Sequence, residues 1–127
     1  MPLVRIDVPE GMGADVRRAI GDTVYEAMRA TLNVPENDRF QVITEHSRSD
    51  LIIDPDYLGI ERSEAAILIQ VTLSIGRTVE IKKAFYKAVA DGVHERAGLR
   101  REDVFINLVE VRPEDWSFGN GVAQYVS

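Results

Sequence analysis

The chain has 127 residues, of which 45% are hydrophobic and 28% are charged, and this balance predicts one globular domain with an ordinary core. A net charge of −6 argues against nucleic acid and anionic membrane surfaces as partners, because both require a basic surface. The absence of cysteine excludes disulfides, thiolate catalysis and thiolate metal sites, and two histidines are too few for a histidine-rich metal site. Since the sequence also has no apolar signal-peptide core and no run of about 18 apolar residues, we expect a soluble cytoplasmic protein.

The sequence repeats itself, without a gap, after 65 residues. Asp38 and Phe40 align with Asp103 and Phe105, and the apolar positions between these identities also correspond. Such a repeat predicts two copies of one supersecondary unit. We expect one domain over residues 1–127, made of repeat one (about 2–45), a connection (46–65), repeat two (about 66–110) and a C-terminal tail (111–127).

Each copy is predicted to form a strand, a helix and a second strand. The stretches "LVRIDV" and "ILIQVTL" alternate apolar with polar residues, which is typical of a half-buried strand. The period then changes to four, as expected for an amphipathic helix. The apolar stripes of the two helices are Val16, Ile20, Val24 and Met28, and Ile81, Phe85, Val89 and Val93. Asn33 and Gly98, again 65 residues apart, are predicted to end the helices in the left-handed conformation.

The stretches "RFQVIT" and "VFINLVE" are predicted to form the second strand of each copy. Because a strand–helix–strand unit of this length forms a right-handed crossover, the two strands of each copy should be parallel. The sequence therefore predicts an α+β fold, a four-stranded sheet with both helices on one face. Leu3, Leu68 and Phe105 would be wet on the other face, so we expect a partner subunit to cover it. The tail "WSFGNGVAQYVS" is predicted to be a loop followed by an edge strand.

Pro2 is a candidate for chemistry because proline is small enough that the preceding methionine is normally removed. Its free secondary amine, packed in an apolar pocket beside an arginine, would have a lowered pKa and serve as a general base. The alternative is that proline merely suits the first residue of a strand, where its missing N–H costs nothing. Repeat two has Ile67 at the equivalent position, so the fold itself does not require proline there.

Two charged residues in loops are further candidates. Asp38, in "VPENDRF", either serves the site or only shapes a turn, as the matching Asp103 suggests, and Arg39 either pairs with it or is solvated. Arg77, in "SIGRTVE", lies beside Gly76 and a predicted helix N-terminus, and either holds a carboxylate or is solvated.

Trp116 and Phe118, in "DWSFGNG", are large aromatic residues in a loop that contains glycine. They either fill the core or form the wall of a pocket, and the loop setting favours the pocket.

The motifs together resemble the tautomerase superfamily, and within it the malonate semialdehyde decarboxylase group. The resemblance runs almost from end to end and is carried by "MPL", "NVPENDRFQ", "LG" followed by "RS", "AFYKAV" and "EDWSFGNG". It implies a cofactor-independent enzyme without a metal, a homotrimer, and a small carboxylate as substrate.

The resemblance also implies roles for individual residues. Pro2 would be the catalytic amine, and Asp38 would match the aspartate that activates or positions water in the decarboxylase. Arg77 would match one of two carboxylate-binding arginines, and a hydrophobic wall would be formed by Trp116, Phe118 and Tyr125. The position of the other arginine holds Ile75, so the grip on a small charged substrate is weaker than in the decarboxylase.

Three functional hypotheses follow. The preferred one is enol–keto tautomerisation of a 2-oxo acid of the phenylpyruvate type, because it needs one base and one carboxylate anchor. The second is decarboxylase or hydratase chemistry, with a cationic prolinium and water activated by Asp38. The third is a trimeric interaction protein that retains only a vestigial pocket.

Overall fold

The computed structural model describes residues 2–126 as four strands and two long helices. Two short 3₁₀ turns lie in the connections, at Tyr57–Gly59 and Arg101–Asp103, and a third, Pro113–Asp115, follows the last strand. The main elements, in chain order, are β1 (Leu3–Pro9), α1 (Ala14–Thr31), β2 (Phe40–His46), β3 (Ile67–Ser74), α2 (Val79–Ala97) and β4 (Val104–Val111). No helix within residues 2–126 is long and apolar enough to cross a membrane.

The sheet has the strand order β2-β1-β3-β4. Within each repeat the two strands are parallel, as the crossover rule predicts, with Leu3 opposite Phe40 in repeat one and Ile67 opposite Val104 in repeat two. The two repeats meet antiparallel, with Leu3 opposite Thr72. The predicted architecture of two β-α-β units is therefore confirmed.

The helices end where the sequence predicts. Asn33, after α1, has φ 57°, and Gly98, after α2, has φ 73°, so both adopt the left-handed conformation. At the start of α2, the Thr78 side chain accepts a hydrogen bond from the Ile81 N–H at 3.2 Å.

The core lies between the helices and the sheet, and its members are aliphatic residues from both repeats with one phenylalanine. The largest fully buried side chains are Phe85, Ile6, Ile20, Met28, Ile67, Ile69, Leu73, Val4, Val8, Val24, Val71 and Val89. The two helices also meet closely, since a Cβ atom added at Gly92 of α2 would lie 2.5 Å from Thr23 Cγ2 of α1.

The opposite face of the sheet is open in the single chain. Leu3 and Phe105 are 36% and 46% exposed and Leu68 is half-buried, as expected for an uncovered face. Phe40 and Val109 add further exposed apolar area to it. We refer to this surface below as the open face.

The tail differs from the prediction. Residues 112–126 contain a 3₁₀ turn and further turns, but no strand. Gly119, Asn120 and Gly121 have positive φ values of 144°, 60° and 68°, as suits the predicted loop. In the segment that follows, the Val122 N–H donates to the Gly119 carbonyl and the Val126 N–H to the Ala123 carbonyl, so the chain forms turns instead of an extended strand. The predicted edge strand is therefore wrong for the single chain.

Candidate active site

The topology gathers all six predicted site residues at one end of the sheet. Pro2 precedes β1 and Asp38 precedes β2, and parallel strands begin at the same end. Because β3 runs antiparallel to β1, Arg77 follows the end of β3 at this same place. The tail that carries the aromatic residues follows the end of β4, which is parallel to β3.

Pro2 is buried, one residue before Leu3. On neighbouring strands, Leu3 is opposite Phe40 and Thr72. The surroundings on the core side are apolar, since Val4 and Leu73 are 0% and 1% exposed. Pro2 therefore lies beside the apolar core at this end of the sheet.

The loop that carries Asp38 is held on both sides of this residue. The Asn37 N–H donates to the Tyr25 hydroxyl at 3.0 Å, and Asn37 has a left-handed φ of 69°. Arg39 Nη2 donates to Asp22 Oδ1 at 2.7 Å, and its guanidinium lies over the Tyr25 ring at 5.0 Å from the centroid. Asp38 itself is half-buried, and its N–H donates to the Pro35 carbonyl. The loop therefore presents the Asp38 carboxyl from a fixed backbone.

Sequence reasoning missed the role of Asp22 and Tyr25, because both lie on α1 and reach the loop only through the fold. The hydrogen bond from Arg39 to Asp22, together with the charge of Arg39, holds the pKa of the Asp22 carboxyl below its ordinary value. Arg39 is thus committed to anchoring the loop.

Arg77 is half-buried, and its guanidinium is held by two backbone carbonyls. Nη1 donates to the Ser74 carbonyl and Nη2 to the Leu32 carbonyl, both at 3.0 Å. A guanidinium has five N–H donors, and the hydrogen bonds within residues 2–126 use two of them. Beside it is a cavity of about 340 Å³, and the residues that line it are Thr31, Leu32, Asn33, Ile75, Gly76, Arg77 and Ile81.

The predicted aromatic wall is a contiguous cluster. Trp116 stacks on Phe118 with ring centroids 5.4 Å apart and planes inclined by 13°. Tyr125 contacts Phe118 edge to face at 4.9 Å. Phe40, which the sequence analysis had not assigned to the wall, joins at 6.4 Å from Phe118. The sequence does offer a signal for Phe40, because this residue lies two positions after Asp38 and is predicted to lie on the open face.

Two sequence family models, each described as a tautomerase enzyme, match residues 2–60 and 38–119. A probable tautomerase of Bacillus subtilis, YusQ, is 43% identical over 126 residues, which cover 99% of each chain. The chain belongs to the tautomerase family. A second probable tautomerase of Bacillus subtilis, YrdN, is 32% identical over 100% of this chain and 98% of its own.

Solved structures within the family have the same fold. The FG41 malonate semialdehyde decarboxylase inhibited by 3-bromopropiolate is 41% identical, with a TM-score of 0.91 over 97% of this chain and 93% of the other. A second malonate semialdehyde decarboxylase is 32% identical, with a TM-score of 0.90 over 97% and 95% of the two chains. A fused 4-OT symmetric trimer, at 23% identity and a TM-score of 0.78 over 94% of each chain, shares the fold. The resemblance stated from the motifs is confirmed.

Proposed function

We propose that the protein is a cofactor-independent tautomerase in which the Pro2 amine, freed by removal of Met1, is the general base. Its substrate would be the enol or keto form of a 2-oxo acid with an aromatic group, of the phenylpyruvate type. The observation that carries the proposal is the arrangement at one end of the sheet, where a buried chain start, an arginine and an aromatic cluster come together. Membership of the tautomerase family supports the same reaction class.

The burial of Pro2 supports its role as a base. While Met1 is attached, the Pro2 nitrogen is an amide and has no basicity, but after removal it is a secondary amine in an apolar setting. Burial lowers the pKa of such an amine, so that a neutral form is present near pH 7. The amine accepts the enol hydroxyl proton and the resulting prolinium returns a proton to C3, so that atoms and charge balance. Asp38 tunes the amine or contacts the substrate.

Arg77 and Ile75 support a monocarboxylate with an aromatic group rather than a small aliphatic one. The free N–H donors of Arg77 bind a carboxylate at the rim of the cavity. Ile75 is 55% exposed at the position where the resemblance implies a second arginine, so this part of the site offers apolar surface instead of charge. The ring of the substrate would pack on Trp116, Phe118 and Tyr125.

The test is the ketonisation of phenylenolpyruvate by the protein and by a Pro2→Ala variant, after intact mass has shown that Met1 is absent from both. The variant keeps a primary amine on a more flexible residue, and we expect its kcat/KM to fall by about 10²-fold or more. Arg77→Ala is expected to raise KM. Equal rates above background for the protein and Pro2→Ala would remove Pro2 from the mechanism. No rate above background for either would favour the hypothesis of an interaction protein with a vestigial pocket.

A second candidate is malonate semialdehyde decarboxylase or hydratase chemistry. Two structures of such decarboxylases, at 41% and 32% identity, favour it. In this alternative a prolinium cation polarises the carbonyl group while Asp38 activates water. Release of acetaldehyde and carbon dioxide from malonate semialdehyde, lost in Asp38→Asn, would support it over the tautomerase.

We also propose that the protein is a homotrimer in which the open face is covered by other copies. The exposed Leu3, Phe40 and Phe105 on that face support this assembly, as do the trimers seen among proteins of the same fold. Light scattering should give a mass about three times the 14.2 kDa of the chain. Phe105→Glu should yield smaller species, whereas Lys83→Glu, an exposed position on α2, should leave the mass unchanged.

A further inference from the structure

Ser74 connects the arginine and the aromatic cluster of the candidate site. It is the last residue of β3 and only 8% exposed. Its hydroxyl accepts a hydrogen bond from Trp116 Nε1 at 3.1 Å, and its backbone carbonyl accepts one from Arg77 Nη1 at 3.0 Å. One buried residue therefore contacts two groups that come from different parts of the chain.

The fold does not require a hydroxyl at the end of this strand. The residue 65 positions earlier, at the end of β1, is Pro9, which is buried and has no side-chain donor or acceptor. A buried hydroxyl is costly unless it forms hydrogen bonds, so serine is acceptable here because Trp116 supplies one. The repeated fold therefore does not explain the hydroxyl of Ser74, whereas its hydrogen bond to Trp116 does.

The bond to Ser74 ties the tail to the sheet. Within residues 112–126, the other hydrogen bonds are local, such as those from the Arg112 N–H to Asp115 and from the Phe118 N–H to Gln124. The bond from Trp116 to Ser74 instead spans 42 residues. Because Trp116 stacks on Phe118, fixing the indole plane also fixes the next ring of the wall.

We propose that Ser74 is a positioning residue that sets the orientation of Trp116 relative to Arg77, and thereby selects 2-oxo acids with an aromatic ring over small aliphatic ones. The catalytic part of this inference rests on the proposed tautomerase function. A substrate whose carboxylate is bound by Arg77 can use the wall only if the indole lies at a fixed place. A small substrate makes no use of the wall, so it is indifferent to that orientation.

The hydroxyl and the backbone carbonyl of Ser74 make different contacts, so variants can separate the two. Ser74→Ala removes the hydroxyl but keeps the carbonyl that holds Arg77, and Ser74→Thr restores a hydroxyl. Ser117→Ala, at an exposed serine next to Trp116, is the matched control. Trp116→Phe removes the indole N–H from the other side of the bond.

The measurement is the exchange of the C3 hydrogens of phenylpyruvate and of 2-oxobutanoate in D₂O, followed by NMR. For Ser74→Ala we expect kcat/KM for phenylpyruvate to fall about 3- to 10-fold, mainly through KM, as the loss of one hydrogen bond predicts. The value for 2-oxobutanoate should stay unchanged. Ser74→Thr and Ser117→Ala should retain the wild-type ratio of the two substrates, and adding Ser74→Ala to Trp116→Phe should have no further effect.

Fluorescence tests the positioning without any turnover, because Trp116 is the one tryptophan of the chain. We expect a red shift of its emission in Ser74→Ala and none in Ser117→Ala. An unchanged emission maximum would overturn the positioning role, and a shifted maximum with an unchanged substrate ratio would overturn the selectivity. If the wild type exchanged neither substrate, the proposed function would fail, while the emission spectra would still decide whether Ser74 orients Trp116.

Discussion

Asp103 accepts two hydrogen bonds from Ser63, one from its backbone N–H at 2.7 Å and one from its hydroxyl at 2.6 Å, across 40 residues of sequence. Asp103 as a whole residue is 2% exposed. This pair ties the connection between the two repeats to the start of β4. The sequence suggested that Asp103 shapes a loop. In the structure it does hold a loop, but this loop is the connection that contains Ser63, 40 residues earlier in the sequence.

Replacement of Asp103 should destabilise the protein strongly. Asp103→Ala removes a buried carboxylate that accepts two hydrogen bonds, whereas Ser63 itself is exposed and its donors can turn to water, so we expect the free energy of unfolding to fall by about 1–3 kcal/mol. Asp103→Asn keeps one acceptor oxygen and should lose less. Urea denaturation measures both, with Glu95→Ala, at an exposed position of α2, as the control. Equal stability of Asp103→Ala and the control would contradict this reading.

The ion pair of Asp22 and Arg39 should make stability depend on acid pH. The pKa of Asp22 in the folded protein lies below the ordinary value of 3.8, since Arg39 donates a hydrogen bond to the carboxylate. The stabilisation is therefore present above pH 3.8 and is lost as the pH falls through the lowered pKa. The Asp22 side chain is 38% exposed, so solvent screening keeps the effect small, at about 0.5–1 kcal/mol.

The measurement is a pair of urea titrations of the protein and of Asp22→Asn, one at neutral pH and one near pH 2. The variant should be less stable at neutral pH, and the difference should shrink in acid. Glu95→Gln should show no such convergence. A constant difference between the protein and Asp22→Asn at both pH values would argue against the ion pair.

The contact between Gly92 and Thr23 predicts that a normally favourable helix substitution is harmful. Alanine is preferred to glycine in a helix by about 1 kcal/mol. At position 92, however, the new methyl group would lie 2.5 Å from Thr23 Cγ2, inside a buried contact. We expect Gly92→Ala to lower the free energy of unfolding by about 1–3 kcal/mol.

Thr23→Ser removes the clashing methyl group and keeps the hydroxyl, which donates to the Ala19 carbonyl at 2.7 Å. Thermal denaturation of the double variant should therefore recover most of the loss caused by Gly92→Ala. A stabilising effect of Gly92→Ala alone would show that the helices move apart at little cost.

Ile75→Arg should shift the preference between the two candidate reactions. A second guanidinium beside Arg77 would bind a small carboxylate more tightly, and it would introduce charge where the proposed aromatic substrate would meet apolar surface. We expect decarboxylation of malonate semialdehyde to increase by about 10-fold or more and ketonisation of phenylenolpyruvate to weaken, as one additional charge-assisted hydrogen bond implies. Ile75→Gln is the neutral control of similar length, and an equal response of both variants would exclude charge as the cause.

The fold was predictable because its signals are local and occur twice. The change of apolar period from two to four marks strands and helices in both copies, and Asn33 and Gly98 mark the helix ends. Crossover handedness then fixes the parallel pairs. The positions of Pro2, Asp38 and Arg77 at one end of the sheet follow from these elements.

The missed features all depend on contacts across the fold. Arg77 donates to the Leu32 carbonyl, 45 residues away, and Arg39 to Asp22, 17 residues away. Periodicity gives no information about such partners. The predicted strand in the tail is wrong for a local reason, since the Val122 and Val126 N–H groups donate to carbonyls three residues earlier and so form turns.

When a unit is duplicated within one polypeptide, only the first copy can have a free α-amino group. Ile67 stands where the first unit has Pro2, and its nitrogen is locked in a peptide bond, so it can never become a titratable amine. Whatever depends on a free α-amino group is available to the first half alone. In the second half, Asp103, the counterpart of Asp38, is instead engaged by Ser63 and holds the connection against the start of β4.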